Sequence, residues 1–166
     1  MLSLCLGFAI VVLDQVAKYA VQQNMVLGEI QPVVPIFFNL TYLRNTGAIW
    51  GFFQHQNNWL ILFSLIVLVM IVVFYRWLVD GRYVYCVAIG CMIGGISGNL
   101  IDRIKLGWVV DFLDFHWSAL HWPSFNFADA AICVGVTLYI VSSLWLSMAG
   151  SATKHNQMVR TANPSE

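Results

Sequence analysis

Four long apolar runs, Leu2 to Val21, Trp59 to Tyr75, Tyr83 to Ile101 and Ala128 to Met148, divide this chain. Each is close to the roughly 20 residues a helix needs to cross about 30 Å of hydrocarbon. A transmembrane barrel would instead show many segments of about ten residues with alternating polarity. These runs are continuous and rich in Leu, Ile and Val, the pattern of buried or lipid-facing helices. With 60% hydrophobic and only 10% charged residues among 166, the chain is too apolar for a soluble domain and too long for a single anchor. The expected fold is an all-α membrane protein, one integral membrane domain over 1–166 with four transmembrane helices.

A secretory signal peptide also opens on an apolar stretch, but its flanks differ. No Lys or Arg precedes Leu2, and Asp14-Gln15-Val16-Ala17-Lys18 is no small-residue cleavage site. The uncharged part, Leu2 to Leu13, is too short to cross alone, so the helix is expected to carry Asp14 and Lys18 to shallow positions near the far boundary. If the chain alternates direction, the end of the first span, the end of the third and the start of the fourth share one face. That face gathers Asp14, Lys18, Asn99, Asp102, Arg103, Asn126 and Asp129. The opposite face has a short turn with Arg76, Asp80 and Arg82, and a polar tail over 149–166 expected to be disordered from Lys154. Lys and Arg are nearly balanced between the faces, but the two arginines flanking the tight turn set both termini in the cytoplasm and the polar face outside.

Two connections on that outer face are long. Within 22–58, Phe38-Asn39-Leu40-Thr41-Tyr42 alternates as a half-buried strand does, which predicts a small extracytoplasmic β-sheet. Within 102–127, Trp108, Trp117 and Trp122 stand among several phenylalanines, a composition suited to an interfacial loop between helices 3 and 4, with Pro123 ending any helical turn.

Several function classes are excluded. Formal net charge is zero, so no basic footprint for nucleic acid exists. Cys5, Cys86, Cys91 and Cys133 all fall inside apolar runs without paired short spacing and read as buried apolar residues, neither disulfides nor zinc ligands. Gly90, Gly94 and Gly98 recur every four residues, which suits close helix packing; a phosphate loop would need a following Lys and Ser or Thr. His116 and His121 lack the zinc-protease pattern, and Ser97, Ser118 and Ser124 lack a nucleophile elbow. No metal or cofactor site is expected.

Ionisable groups at membrane depth cost roughly 2.5 to 3.5 kcal/mol each at a helix centre, less near its ends, and need partners or a purpose. Asp14 and Lys18 are spaced to meet on one helical face, as are Asn99 and Arg103. Their bland reading is structural, with Asp14 pairing Lys18 and Arg103 pinning a loop carboxylate or a lipid headgroup. Asp111 and Asp129 have no basic residue within helical reach. Asp111 lies between Val109-Val110 and Phe112-Leu113, while Asp129 opens the fourth span with Asn126 on the same side. Two carboxylates converging near a membrane boundary do not both ionise readily, so one holds a proton and the pair titrates as a unit. Such a pair can activate water, one acid removing its proton while the other hydrogen-bonds the carbonyl under attack. Asp129 could instead serve only the helix dipole, and Asp114 reads as an exposed loop residue. A proton-coupled transporter would place acids near the bilayer midplane. A noncatalytic assembly factor would tolerate loss of either acid.

The order of five blocks resembles the lipoprotein signal peptidases, the bacterial type II signal peptidase family: Asp14-Gln15-Val16-Ala17-Lys18; Asn45-Thr46-Gly47-Ala48; Gly94-Gly95-Ile96-Ser97-Gly98-Asn99-Leu100-Ile101-Asp102-Arg103; Val109-Val110-Asp111-Phe112; and Phe125-Asn126-Phe127-Ala128-Asp129. The resemblance implies an intramembrane aspartic endopeptidase with Asp111 and Asp129 as its catalytic pair. It implies that Asp14, Lys18, Asn45, Gly47, Asn99, Arg103 and Asn126 shape the site or hold substrate. It further implies diacylglyceryl-modified prolipoprotein substrates cut just before the lipidated cysteine, a bacterial inner membrane location with a periplasmic site, contact with membrane lipid and no cofactor; a monomer is expected, though the sequence does not fix the oligomeric state. Ile49 and Trp50 stand where that family commonly has a small residue and Phe, which bears on pocket shape. The basic residues that commonly precede the first span are missing, which leaves orientation to the inner turn and tail or marks a short start.

Overall fold

The computed structural model describes residues 1–47, 54, 56–117 and 120–162, with only the backbone described for His121 and for 149–162. Ile49, Trp50 and Ser118, singled out in the sequence, lie outside these residues. In chain order the elements are α1 (Leu2–Asn24), β1 (Ile30–Val34), β2 (Phe38–Asn45), α2 (Asn57–Val79), α3 (Tyr83–Leu106), β3 (Val109–Trp117), β4 (Leu120–His121) and α4 (Phe127–Ala162). Four helices are long and apolar enough to cross a membrane, α4 over Phe127–Met148. The sequence-expected spans are all present, lengthened by a few residues at their polar ends.

α3 is the hub: 56% of its most apolar window is buried, against 22% for α1, 11% for α2 and 6% for α4. It packs on all three other helices, and small residues make that possible. A Cβ added at Gly94 would lie 2.7 Å from the Ile10 Cβ of α1, one at Gly98 would lie 2.7 Å from Asp14 Oδ2, and one at Gly95 would overlap the Ala128 carbonyl of α4. Gly90, Gly94 and Gly98 therefore admit α1, as their spacing predicted, while Gly95, off that stripe, admits α4. From α1 a narrow stripe of Ser3, Gly7, Asp14, Lys18 and Val21 is buried. Such spacing of three, four and seven is that of a helix seam. Its outer face, including Leu4, Phe8, Val16 and Tyr19, is exposed to what would be lipid.

Near the opposite end of the bundle the Ser3 hydroxyl donates to the Cys86 carbonyl and shares a 2.8 Å hydrogen bond with the Tyr75 hydroxyl. Cys91 is buried and Cys86 half-buried, as expected, but Cys5 and Cys133 face outward; a thiol is apolar enough to sit on a lipid-facing surface. All four are free.

β1, β2 and β3 form an antiparallel sheet, and β4 adds a two-residue strand that pairs with the end of β3. The connection between α3 and α4 is thus more regular than its aromatic composition suggested. Gly107 at φ 84° ends α3 in the left-handed region and turns the chain straight into β3. β3 shows little alternation because four of its first residues in a row, Val109 to Phe112, are buried on both faces. Val110 and Phe112 pack against Val21 and Met25 at the end of α1, each such buried side chain being worth about 1.5–3 kcal/mol. This contact seats the sheet on the helix bundle. A bulge between Leu40 and Leu43 in β2 shifts the register, so that Asn39 faces Asp114 while Asn45 reaches Asp111.

Two further expectations change. Asp114 is no exposed loop residue: it is buried and accepts a 2.8 Å hydrogen bond from Asn39 Nδ2. The tail expected to be disordered from Lys154 continues α4 to Ala162, since extending an existing helix adds one hydrogen bond per residue fixed and no proline intervenes before Pro164.

Candidate active site

The charged residues of the described helices cluster toward the sheet end of the bundle, apart from Arg76 beside the α2–α3 turn and Lys154 and Arg160 beyond the fourth span. The site forms where the C-terminal ends of α1 and α3 meet β3 and the start of α4.

α4 begins on an N-cap. Asn126 Oδ1 accepts the Asp129 N–H at 2.9 Å, and the Asp14 carboxylate Oδ1 accepts the neighbouring Ala128 N–H, also at 2.9 Å. Two amide groups that the first helical turn leaves unsatisfied thereby find acceptors, one of them an anion favoured by the helix dipole. The other end of the Asn126 side chain donates to Asp111 Oδ1 at 2.7 Å. One buried asparagine thus bonds the carboxylate of Asp111 and the backbone of Asp129. Asp111 Oδ2 accepts from Asn45 Nδ2 at 2.9 Å, and Asn45 Oδ1 in turn accepts the Gly47 N–H at 2.9 Å. Asp129 Oδ1 accepts from Asn99 Nδ2 at 2.7 Å.

The Asp111 carboxyl is driven from an ordinary 3.8 up to about 7. Burial is the larger cause and the Asp129 charge the next, opposed by the Asn45 and Asn126 hydrogen bonds and by the Lys18 charge.

Arg103 Nη2 donates to the Gly47 carbonyl at 3.1 Å and lies in the field of Asp129, Asp111 and Asp102. Its partner is a backbone carbonyl of the loop after β2, neither of the partners the bland reading gave it. Asp14 and Lys18 are buried in the bundle at 0% and 2% exposure and pair at 2.8 Å, the pairing their spacing suggested. Lys18 also pairs with Asp102 at 2.9 Å and donates to Asn99 Oδ1 at 3.0 Å. Asp102 was not among the expected site residues. Sequence adjacency to Arg103 makes it look self-neutralised, yet neighbouring helix positions do not face one another. All nine expected residues enter one hydrogen-bonded network with it. Among the described residues no group of three or more His, Cys, Asp and Glu side chains is placed to hold a metal ion.

Beside the acids a cavity of about 970 Å³ runs between α2 and α4 over α3. Asn99, Arg103 and Asp129 line its polar end, and Leu60, Phe63, Val67, Met92, Ile96, Ile132 and Val136 its apolar length. Toward the other end of the bundle the two helices meet, the Tyr139 hydroxyl donating to the Leu78 carbonyl at 3.2 Å.

The profile of one protein family, Signal peptidase (SPase) II, matches residues 6–145. The chain belongs to the signal peptidase II family. Members are proteases that remove signal peptides from prolipoproteins. The lipoprotein signal peptidase of Geobacter sulfurreducens is 43% identical over 136 residues, covering 80% of this chain and 85% of its own. That of Geobacter metallireducens is 42% identical over 130 residues, covering 76% and 80%. A solved structure of a bacterial membrane enzyme, obtained by the in meso method, matches this signal peptidase II family member with a TM-score of 0.81 at 34% identity, covering 86% of this chain and 87% of that one.

Proposed function

We propose that this protein is an aspartic endopeptidase that cuts diacylglyceryl-modified prolipoproteins just before the lipidated cysteine, with Asp111 and Asp129 sharing one proton and activating one water. The observation that carries this reading is Asn126, whose side chain joins the two acids from separate elements. In the reaction the ionised acid takes a proton from water, and the resulting hydroxide adds to the scissile carbonyl carbon. The protonated acid hydrogen-bonds the carbonyl oxygen. Collapse of the tetrahedral intermediate breaks the C–N bond, and the departing amine takes up a proton from the pair.

Asn45, Gly47, Asn99 and Arg103 stand where they can orient the substrate's peptide groups. The apolar cavity between α2 and α4 suits the apolar stretch of a signal peptide. The facing segments Leu60 to Val67 and Asp129 to Val136 each rise about 10 Å at 1.5 Å per residue, and a signal's apolar region of 7–15 residues is about as long or longer. A lipidated substrate stays in the bilayer, so the acids act at the outer boundary of the inner membrane, where water and lipid meet.

The test is cleavage of a diacylglyceryl prolipoprotein by detergent-purified protein. Asp111→Asn and Asp129→Asn are each expected to abolish cleavage while thermal unfolding remains cooperative. Normal turnover by either folded variant removes the pair from the mechanism.

A further inference from the structure

Lys18 is among the most costly residues in the molecule to place, a cation 2% exposed and surrounded by protein. Its ammonium carries three protons, and three acceptors meet it: Asp14 Oδ2 at 2.8 Å, Asp102 Oδ2 at 2.9 Å and Asn99 Oδ1 at 3.0 Å. Each acceptor has a second engagement, and all three lead to the reacting acids. Asp14 Oδ1 takes the N–H of Ala128, the residue before Asp129. Asp102 Oδ2 takes the N–H of Val110, the residue before Asp111, at 3.1 Å. Asn99 Nδ2 donates to Asp129 Oδ1 itself. Gln15 Nε2 donates to the free oxygen of Asp102 at 2.8 Å and so fixes its rotation.

We propose that Lys18, Asp14 and Asp102 form a buried clamp that sets the position of the Asp111 and Asp129 carboxylates relative to each other. This rests on the reading of Asp111 and Asp129 as the reacting pair. Helix packing alone does not account for the cluster. An apolar set of similar volume is often as stable as a buried ion triad or more so, because desolvation offsets the attraction. The triad supplies something an apolar set cannot, directional bonds that grip the amide preceding each acid on β3 and on α4. Without Asp102, β3 is held to α3 chiefly through the turn at Gly107; without Asp14, the start of α4 loses an acceptor for its second amide. With side chains no more than 4% exposed, all three act through Asp111 and Asp129, as positioning residues.

The prediction is a change in kcat at constant KM. A misplacement of about 1 Å can cost about 10²-fold in rate, and Asp102→Ala and Asp14→Ala are each expected to lower kcat by about that factor with KM within twofold of the native value. Each variant leaves Lys18 with one carboxylate, so neither strands an unpaired cation. Asp102→Asn, whose amide oxygen can still accept the Val110 N–H, is expected to recover part of the kcat lost in Asp102→Ala. Three outcomes overturn the clamp: a raised KM at native kcat, native kcat per folded molecule with only a lowered Tm, or an Asp102→Asn variant no better than Asp102→Ala. Should Asp102→Ala fail to fold, the Asp102→Asn variant decides alone, native kcat and KM with a lowered Tm overturning the clamp and a lowered kcat at native KM supporting it. Asp111→Asn and Asp129→Asn are assayed in parallel: if they are inactive and the clamp variants are native, the clamp fails and the reacting pair stands.

Discussion

At the turn between α2 and α3, Arg82 and Asp80 lie 3.6 Å apart with 45% and 72% of their side chains exposed. At the other end of the same bundle, Lys18 meets Asp14 and Asp102 at 2.8 and 2.9 Å, with none of the three side chains more than 4% exposed. Both are ion pairs between ordinary residues, but their physics differs. The turn pair is solvated, screened and free to fluctuate, the situation in which ion pairs contribute about 0–1 kcal/mol. The buried group has given up its water, and its members are held by further hydrogen bonds to backbone and amide partners. Charge at the turn end is left in solvent, whereas charge at the sheet end is organised around Asp111 and Asp129, the proposed reacting pair.

The sharpest way to test this contrast is to remove the acids for which the sheet end is organised. Asp111→Asn and Asp129→Asn should each lower cleavage of lipidated precursor by about 10³-fold or more, since general acid–base groups contribute about 10²–10⁴ and the pair acts as a unit. The same end should also respond to pH. Asp111 is raised to about 7 by burial and by the Asp129 charge, so under the proposed mechanism the shared proton is lost as pH climbs through that value. The rate is expected to fall on the alkaline side, checked by a kcat profile from pH 5 to 9. The sign for stability is the same: a carboxyl whose folded value lies above its unfolded one disfavours the native state increasingly between about 4 and 7. A rate rising steadily through pH 8 would contradict a shared proton.

Next in size is Lys18→Met. It leaves two buried carboxylates facing each other without their cation, and breaking a buried pair from one side costs about 3–5 kcal/mol. Thermal unfolding in one detergent, compared with the native protein, measures it. A loss of less than about 1 kcal/mol would place the Lys18 cluster in the same energetic class as the Asp80–Arg82 turn and erase the contrast.

How much of this contrast the sequence discloses follows from how local each interaction is. Asp14 and Lys18 are one helical turn apart, so their pairing is legible from spacing alone. The isolation of Asp111 and Asp129 from nearby basic residues is legible too, as is Asn126 standing beside Asp129. The partnership of Asp102 with Lys18 joins two helices, and no local pattern announces it. β3 was hidden for a related reason: burial of both faces removes alternation, and its partner β2 lies on the far side of two helices in sequence. Once β3 is a strand, Asp111 and Asp114 point to opposite faces, one toward Asn45 and Asn126, the other toward Asn39. A spacing of three, which in a helix would bring them together, keeps them apart.

Helix contacts offer a smaller perturbation of the sheet end. Gly95→Ala places a methyl group against the Ala128 carbonyl and near Ile132, pushing α4 away from α3 close to Asp129. Overpacking of this kind typically costs about 1–3 kcal/mol, and because the strained atom belongs to the residue before Asp129, kcat is expected to fall along with Tm. Gly81→Ala, in the turn at φ 68° with nothing within 4 Å of the added methyl, strains only local backbone and should lower Tm modestly with kcat unchanged. Equal losses of kcat in the two variants would show that the site senses general stability more than local position.

The smallest expected effect belongs to Arg82→Gln. Its ion pair with Asp80 is long and largely solvated, so the substitution should shift stability by less than about 0.5 kcal/mol and leave kcat and KM in detergent unchanged. Insertion is a separate matter, because Arg76 and Arg82 flank a tight turn and loop arginines bias which side stays in the cytoplasm. The informative measurement is therefore a pair: native turnover in detergent beside the fraction of molecules with a protease-accessible turn in membranes. If Arg82→Gln reduced turnover in detergent as strongly as Asp102→Ala, the charge at the turn would be coupled to the reacting acids along the whole length of α3. The division between a solvated topological end and a buried chemical end would then be wrong.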